Sequence, residues 1–256
     1  MNRALWSLAA LWPLTVSAQI QLIADTEAQA VFAGGTQTVR VLLRNPGDAP
    51  ASKDVEMRLF QLTAASAVPI GNARPWKTIQ ILPRQTVLET LPLEFPAVRS
   101  SSRFRIELPG IGSVEVTAYP RDLLQRLNML AGDQPLGVFD PAGQMKPLLK
   151  QVGVNVADFE TEPTDSKLAI VWWNGQNLPD SVESRLKKGL SAVWIRSSAF
   201  PSSYAVRVGA GAVVVAPASS LHGLADSPLA QLNLIRDAEL ALQPDALRLP
   251  SDNKPE

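Results

Sequence analysis

His222 is the chain's only histidine, and it precedes Asp226 by four residues, with Ser219 and Ser220 immediately upstream. A serine nucleophile needs an imidazole within hydrogen-bond reach and a third group to orient that imidazole, so these residues are the set from which hydrolysis can be imagined. The sequence lacks the Gly-x-Ser-x-Gly elbow that presents such a serine, and a surface or capping role is the simpler reading of His222. A single histidine and no cysteine leave a zinc-type site without its usual ligands, so no metal or cofactor is expected. The run Gly209-Ala210-Gly211 invites comparison with dinucleotide loops. It precedes an apolar stretch, whereas a dinucleotide loop follows a strand and opens a helix, and a hairpin turn is expected instead.

The remaining candidates lie where apolar runs end. Asp140 follows Leu136–Phe139, Asn174 follows Leu168–Trp173, and Arg196, Ser197 and Ser198 close Ala192–Arg196. If these runs are parallel strands, the polar residues gather at their carboxyl ends, where open α/β sheets bind ligands. The set is able to hydrogen-bond a small molecule or a loop of another protein, and equally able to cap helices and satisfy loop backbone. It is poorly equipped for catalysis. Arg196 stays protonated, and Asp140, read as an exposed carboxylate, is a weak base for a serine hydroxyl. Trp172 and Trp173 are adjacent and point to opposite faces of their strand, so at most one reaches a crevice. Trp76 beside Pro75 is read as lying in a loop, where an aromatic ring suits a partner contact.

Two kinds of hydrophobic pattern must position these residues. From Gln19 to Tyr119 apolar residues alternate, as in Val39-Val41-Leu43, Val55-Met57-Leu59, Leu91-Leu93-Phe95, Phe104-Ile106-Leu108 and Val114-Val116-Ala118. That is the period of half-buried strands, broken by turn-forming stretches at Asn45–Pro50, Leu82–Gln85 and Leu108–Gly112, and it predicts an antiparallel β-sandwich. Residues 120–134 read as a linker with a short helix at Asp122–Leu130. Beyond it, continuous apolar strands at Leu136–Asp140, Val154–Phe159, Leu168–Trp173, Ala192–Arg196 and Ala212–Ala216 alternate with helices at Gln144–Val152, Asp180–Lys188 and Pro228–Leu242. Unbroken apolar strands separated by helices predict a parallel sheet covered on both faces, so residues 135–242 are read as an α/β domain. The tail 243–256 is rich in proline and is expected to be disordered.

VRVLLRNPGDAP running into VEMRLFQL, with Asn45 and Gly47 at the turn, resembles bacterial Ig-like domains of the CARDB type. LAIVWWNGQNLPDSVESRLKKGLSAVWIRSS followed by VRVGAGAVVVAP resembles a class I glutamine amidotransferase-like domain, which implies a flavodoxin-like fold. Active relatives typically carry a Cys or His in the turn after the second strand; Arg196-Ser197-Ser198 stand there, and without cysteine no thioester can form. The resemblance therefore implies a degenerate domain. The pairing is similar to the C-terminal parts of large envelope proteins of aerotolerance-type operons.

Composition bounds the function further. Lys plus Arg equals Asp plus Glu at 24 each; residues 19–118 carry 10 basic against 9 acidic residues and residues 119–256 carry 13 against 15. Neither part has the basic excess that phosphate neutralisation on nucleic acid demands. The opening MNRALWSLAALWPLTVSA has the cationic, apolar and small-residue layout of a secretory signal, and its apolar run is about half of the roughly 20 residues that cross a bilayer. The reading is thus an exported, noncatalytic interaction or scaffolding protein that meets another envelope protein. The alternatives left open are a small-ligand or glycan binder and a hydrolase using the strand-end crevice. Cleavage after Ala18 predicts a mature N-terminus at Gln19. Mass spectrometry of exported protein checks this, and an intact Met1 on it contradicts it.

Overall fold

The computed structural model describes residues 19–23, 29–132, 134–162, 165–197 and 202–243. Residues 1–18, read as a secretory signal, Ser198 and the residues beyond Gln243, read as a disordered tail, fall outside the described residues. Spatial contacts divide the chain into two compact units. Of the described residues, one takes those up to Gln29, Thr38–Leu93 and Arg103–Val116; the other takes Ala30–Gln37, Glu94–Ser102 and those from Thr117 onward.

The first part of the chain is built of strands: β1 (Gln21–Ile23), β2 (Gln29–Phe32), β3 (Gly35–Arg44), β4 (Ala51–Leu62), β5 (Ala67–Pro69), β6 (Arg74–Ile81), β7 (Thr86–Phe95), β8 (Ser102–Leu108) and β9 (Gly112–Tyr119). One sheet has the order β1-β3-β7 and another the order β2-β9-β8-β4-β5, with β6 also paired to β4. Alternation does what its period requires: Val39, Val41 and Leu43 of β3, Leu91, Leu93 and Phe95 of β7, and Phe104, Ile106 and Leu108 of β8 are all buried. The turn after β3 is held by Asn45, which is fully buried. Its Oδ1 accepts from Gly47 N at 2.9 Å, and its Nδ2 donates to Ala49 O at 2.8 Å and Ile81 O at 3.1 Å. One amide side chain thus closes its own turn and ties it to the end of β6.

The later part begins with a 3-10 turn at Leu123–Gln125 leading into α1 (Arg126–Leu130). It continues through β10 (Leu136–Phe139), α2 (Met145–Gln151), β11 (Val156–Asp158), β12 (Leu168–Trp172), α3 (Asp180–Lys187), β13 (Ser191–Arg196), β14 (Tyr204–Val208), β15 (Gly211–Pro217) and α4 (Pro228–Leu242). The six strands form one sheet in the order β11-β10-β12-β13-β15-β14. All neighbours are parallel except β14, which runs antiparallel to β15 at the edge. Alternate residues serve the two faces. Val138, Ile170, Val193, Ile195, Val214 and Ala216 join α1, α2 and α4 in one core, while Phe139, Ala169, Val171, Trp194, Val213 and Val215 join α3 in the other. Leu124, Leu127 and Ala131, in the stretch read as a linker, are buried in the first of these cores. Burial on both faces explains why these strands lack polar alternation. The strand expected over Val154–Phe159 is shorter, because Val154 N bonds back to Leu149 O at the end of α2. Among the described residues no helix is long and apolar enough to cross a membrane.

Gly209-Ala210 forms the turn of the β14–β15 hairpin, with Gly209 at φ +63°. A side chain on Gly211 would drive into the carbonyl oxygens of Leu190 and Leu186, so this glycine answers a close approach of backbone rather than a ligand. Helix α4 starts where its sequence says it should. Ser227 Oγ accepts from Ala230 N at 3.2 Å and Pro228 takes the first turn. Midway along α4 sits Asp237, fully buried, accepting from Ser203 Oγ at 2.8 Å, with Arg236 Nη2 3.4 Å from its other oxygen. Burial pushes its carboxyl above the usual carboxylate range, and the Ser203 and Arg236 contacts oppose this only in part. A raised folded pKa favours the fold on the acid side and withdraws that support as pH rises through it. Asp237→Asn, which still accepts from Ser203, is therefore expected to raise Tm by a few degrees at pH 7 and to lose that advantage toward pH 4. Thermal melts across that range check it.

Candidate functional site

In the sheet order, β10 connects through α2 to β11 on one side, and the chain then passes back to β12 on the other. The carboxyl ends of β10 and β12 flank this reversal, the position at which open α/β sheets present a crevice. At the adjoining ends of β12 and β13 the structure bonds Asn174 to Ser197 and brings Arg196 against the loop that follows Asn174. Asn174 Oδ1 accepts from Ser197 N at 2.9 Å, and Arg196 Nη1 lies 3.4 Å from Gln176 O, with its guanidinium 4.7 Å from the Trp194 ring. The neighbouring tryptophans finish the clasp. Trp194 Nε1 donates to Trp173 O at 2.8 Å, Trp173 Nε1 donates to Asn177 O at 3.0 Å, and Trp173 meets Phe139 edge to face at 6.0 Å. Gly175 is required in this loop, because a Cβ there would run into the Trp173 indole. These polar groups tie the loop after β12 to the end of β13.

Asp140 stands apart from that clasp and is not the exposed carboxylate that its loop position suggested. It is 3% exposed, and its Oδ2 accepts from Met145 N at 2.7 Å and Lys146 N at 3.0 Å, the free N–H groups at the start of α2. Its Oδ1 is buried without a protein donor. No hydrogen bond or ion pair links Asp140 to Asn174, Arg196 or Ser197 among the described residues. The loop turned inward because seven-residue α2 needs its first N–H groups satisfied. Lys146 supplies the second anchor, its ammonium paired with Asp158 at the end of β11. That pairing, with backbone donation from Glu160 and Thr161, holds the Asp158 carboxyl down at about 2.

With α2 so fixed, a cleft of about 550 Å³ opens between it and the turn after β15. Met145, Leu148, Leu221 and Leu224 form its apolar walls, Trp172 faces it from the end of β12, and Gln144, Ser219 and His222 supply polar groups. His222 is exposed, directly after the 3-10 turn Ala218–Leu221. No hydrogen bond or ion pair joins its ring to Ser219 or Asp226 among the described residues; Asp226 N instead turns back to Gly223 O at 2.8 Å. The arrangement offers an apolar recess with a few hydrogen-bonding groups. Of its lining, Trp172, Ser219 and His222 were singled out from sequence. The one available signal was the apolar i, i+3, i+4 stripe Met145-Leu148-Leu149 of α2, in which Leu148 is only half-buried against the core. Trp76 lies within β6 rather than in a loop, half-buried, with the Lys77 ammonium 5.2 Å from its ring. Pairing of Pro75 with Glu56, next to a register shift in β4, accommodates the proline that suggested a loop.

No protein-family model matches the chain, and no curated protein matches it. Among solved structures, a mutant β-glucosidase from Listeria innocua in complex with laminaribiose is similar over 40% of this chain and 16% of its own, at 14% identity and a TM-score of 0.30. A Niemann-Pick type C2 protein from Japanese carpenter ant is similar over 40% of this chain and 89% of its own, at 14% identity and 0.29. The Pseudomonas fluorescens alkylpurine DNA glycosylase AlkC bound to DNA containing an abasic site analog is similar over 40% and 30%, at 11% identity and 0.29. The chain spans about one sixth of the length of the β-glucosidase. At such TM-scores these likenesses carry no argument about this protein's architecture or activity.

The anchor at Asp158 has a pH signature. A lowered folded pKa stabilises the protein above the unfolded value near 4 and loses that contribution as pH falls through about 2. Asp158→Asn is expected to cost about 1 kcal/mol at pH 7, a partly exposed pair being worth no more, with the deficit against wild type shrinking between pH 4 and pH 2. Urea denaturation at several pH values measures it, and a constant deficit would speak against the ion pair.

Proposed function

We propose that this chain is an exported, noncatalytic interaction protein of the cell envelope, made of an Ig-like sandwich of the CARDB type and a degenerate amidotransferase-like α/β domain. The strand order β11-β10-β12-β13-β15, with its reversal at β10, supports the flavodoxin-like reading of the second part. Absence of cysteine removes the thiol that amidotransfer needs.

The observation that carries the reading is the disposition of the strand-end groups. Asp140, Asn174, Arg196 and the Ser197 backbone are engaged in capping α2 and clasping the loop after β12, while the neighbouring recess presents Trp172, Leu148 and Leu221. A recess of that composition suits an apolar side chain of another envelope protein. Its volume also falls within the range of small-molecule sites, roughly 300–1,000 Å³, and this is the observation favouring the second reading, a small-ligand binder.

A photo-crosslinking residue at Ser219, expressed in the native host, separates these. A single protein adduct that Leu148→Arg abolishes, with the fold retained, is the expected result. A small molecule recovered from denatured wild type and missing from the Leu148→Arg variant favours ligand binding instead. Turnover of ester, amide or glutamine substrates by wild type that disappears in a Ser197→Ala, His222→Ala variant overturns the noncatalytic reading.

A further inference from the structure

A second recess, of about 530 Å³, lies on the α3 side of the sheet, where the segment before β12, the last turn of α3 and the approach to β13 converge. Phe159 and Leu190 give it an apolar lining, and Lys167, Arg185 and Lys188 face it together with Asp165. Cations near a helix C-terminus ordinarily offset the helix dipole, and Lys187, paired with Glu183 at 2.7 Å, is accounted for in that way. Lys167 is not: it belongs to no helix and arrives from the chain leading into β12.

Neither Lys167 nor Lys188 forms an ion pair among the described residues. Arg185 is held differently, with its guanidinium carbon 4.2 Å from the ring centroid of buried Phe159. Stacking restricts the side chain in advance, so less freedom is lost when its planar fork meets two oxygens of an anion. Three cations against one carboxylate leave a net charge of +2 around one recess, in a chain whose basic and acidic residues are equal in number.

We propose that this recess binds a phosphate monoester, its oxyanion gathered by Lys167, Arg185 and Lys188 and its organic body lying over Leu190. A phosphate monoester carries about −1.5 to −2 at neutral pH and so matches the local charge, whereas a single carboxylate leaves half of it uncompensated. Bidentate guanidinium geometry suits phosphate oxygens. The recess has room beyond the oxyanion for the group that bears it.

Isothermal titration of the full chain with phenyl phosphate at constant ionic strength tests this. Saturable binding is expected, weakened at least tenfold in K167Q/K188Q with Tm unchanged, and unaltered in K150Q, which removes an exposed charge on α2. Arg185→Lys, which keeps the charge but loses the fork and the stack, is expected to weaken binding as well. Cosedimentation with phosphatidylcholine vesicles containing phosphatidic acid identifies the source. Vesicle binding lost in K167Q/K188Q assigns the site to a lipid headgroup, and phenyl phosphate binding alone assigns it to a free phosphate ester. Absence of saturable binding to both probes, or equal loss in K150Q, overturns the proposal.

Discussion

Helix α2 is seven residues long, shorter than a helix that persists unaided in water, and it is secured at its start by two carboxylates. Asp140 takes its first free N–H groups and Asp158 takes the Lys146 ammonium. Both carboxylates come from strand ends, of β10 and β11, so the helix is registered against the sheet rather than against its own loop. The Trp172 recess depends on that registration, because Met145 and Leu148 form the wall opposite the turn after β15. Losing the anchor would cost the recess its shape before it cost the sheet its core.

The two edges of the parallel sheet differ in chemistry for a reason rooted in connectivity. At the carboxyl edge the chain leaves each strand into a loop that starts a helix, and polar residues there are consumed by helix starts and loop clasps. At the amino edge the chain leaves a helix to enter a strand, where Gly189 ends α3 with φ +109° and basic residues are tolerated beside the helix terminus. Hence the recess at one edge is apolar, and the recess at the other carries a net positive charge.

Elements with a strong period were legible before any coordinates. Helix α4 spans Pro228–Leu242 as read, because Ser227 and Pro228 mark its start and an amphipathic stripe carries it on. The hairpin at Gly209-Ala210 was legible because a glycine-rich turn ahead of an apolar run has few other uses. Shorter elements were less so. Nothing local distinguishes Val154, which closes α2, from Val156, which enters a strand. Trp76 looked like a loop residue because proline normally interrupts a strand; pairing beside a register shift in β4 reversed that.

Sequence alone determined the class of chemistry excluded and the kinds of element present. Absence of cysteine and a solitary histidine are facts of composition, and side-chain periods of two and of 3.6 are properties of backbone geometry that hold before any packing. Tertiary structure decided which polar residues were already spent. Whether Asp140 faces solvent or the N–H groups of Met145 and Lys146 depends on the path of the Asp140–Gln144 loop, and whether Lys167 shares a recess with Arg185 and Lys188 depends on β12 and β13 lying side by side. Contacts between residues about 20 positions apart leave no local pattern, because their proximity is set by the pairing of whole strands.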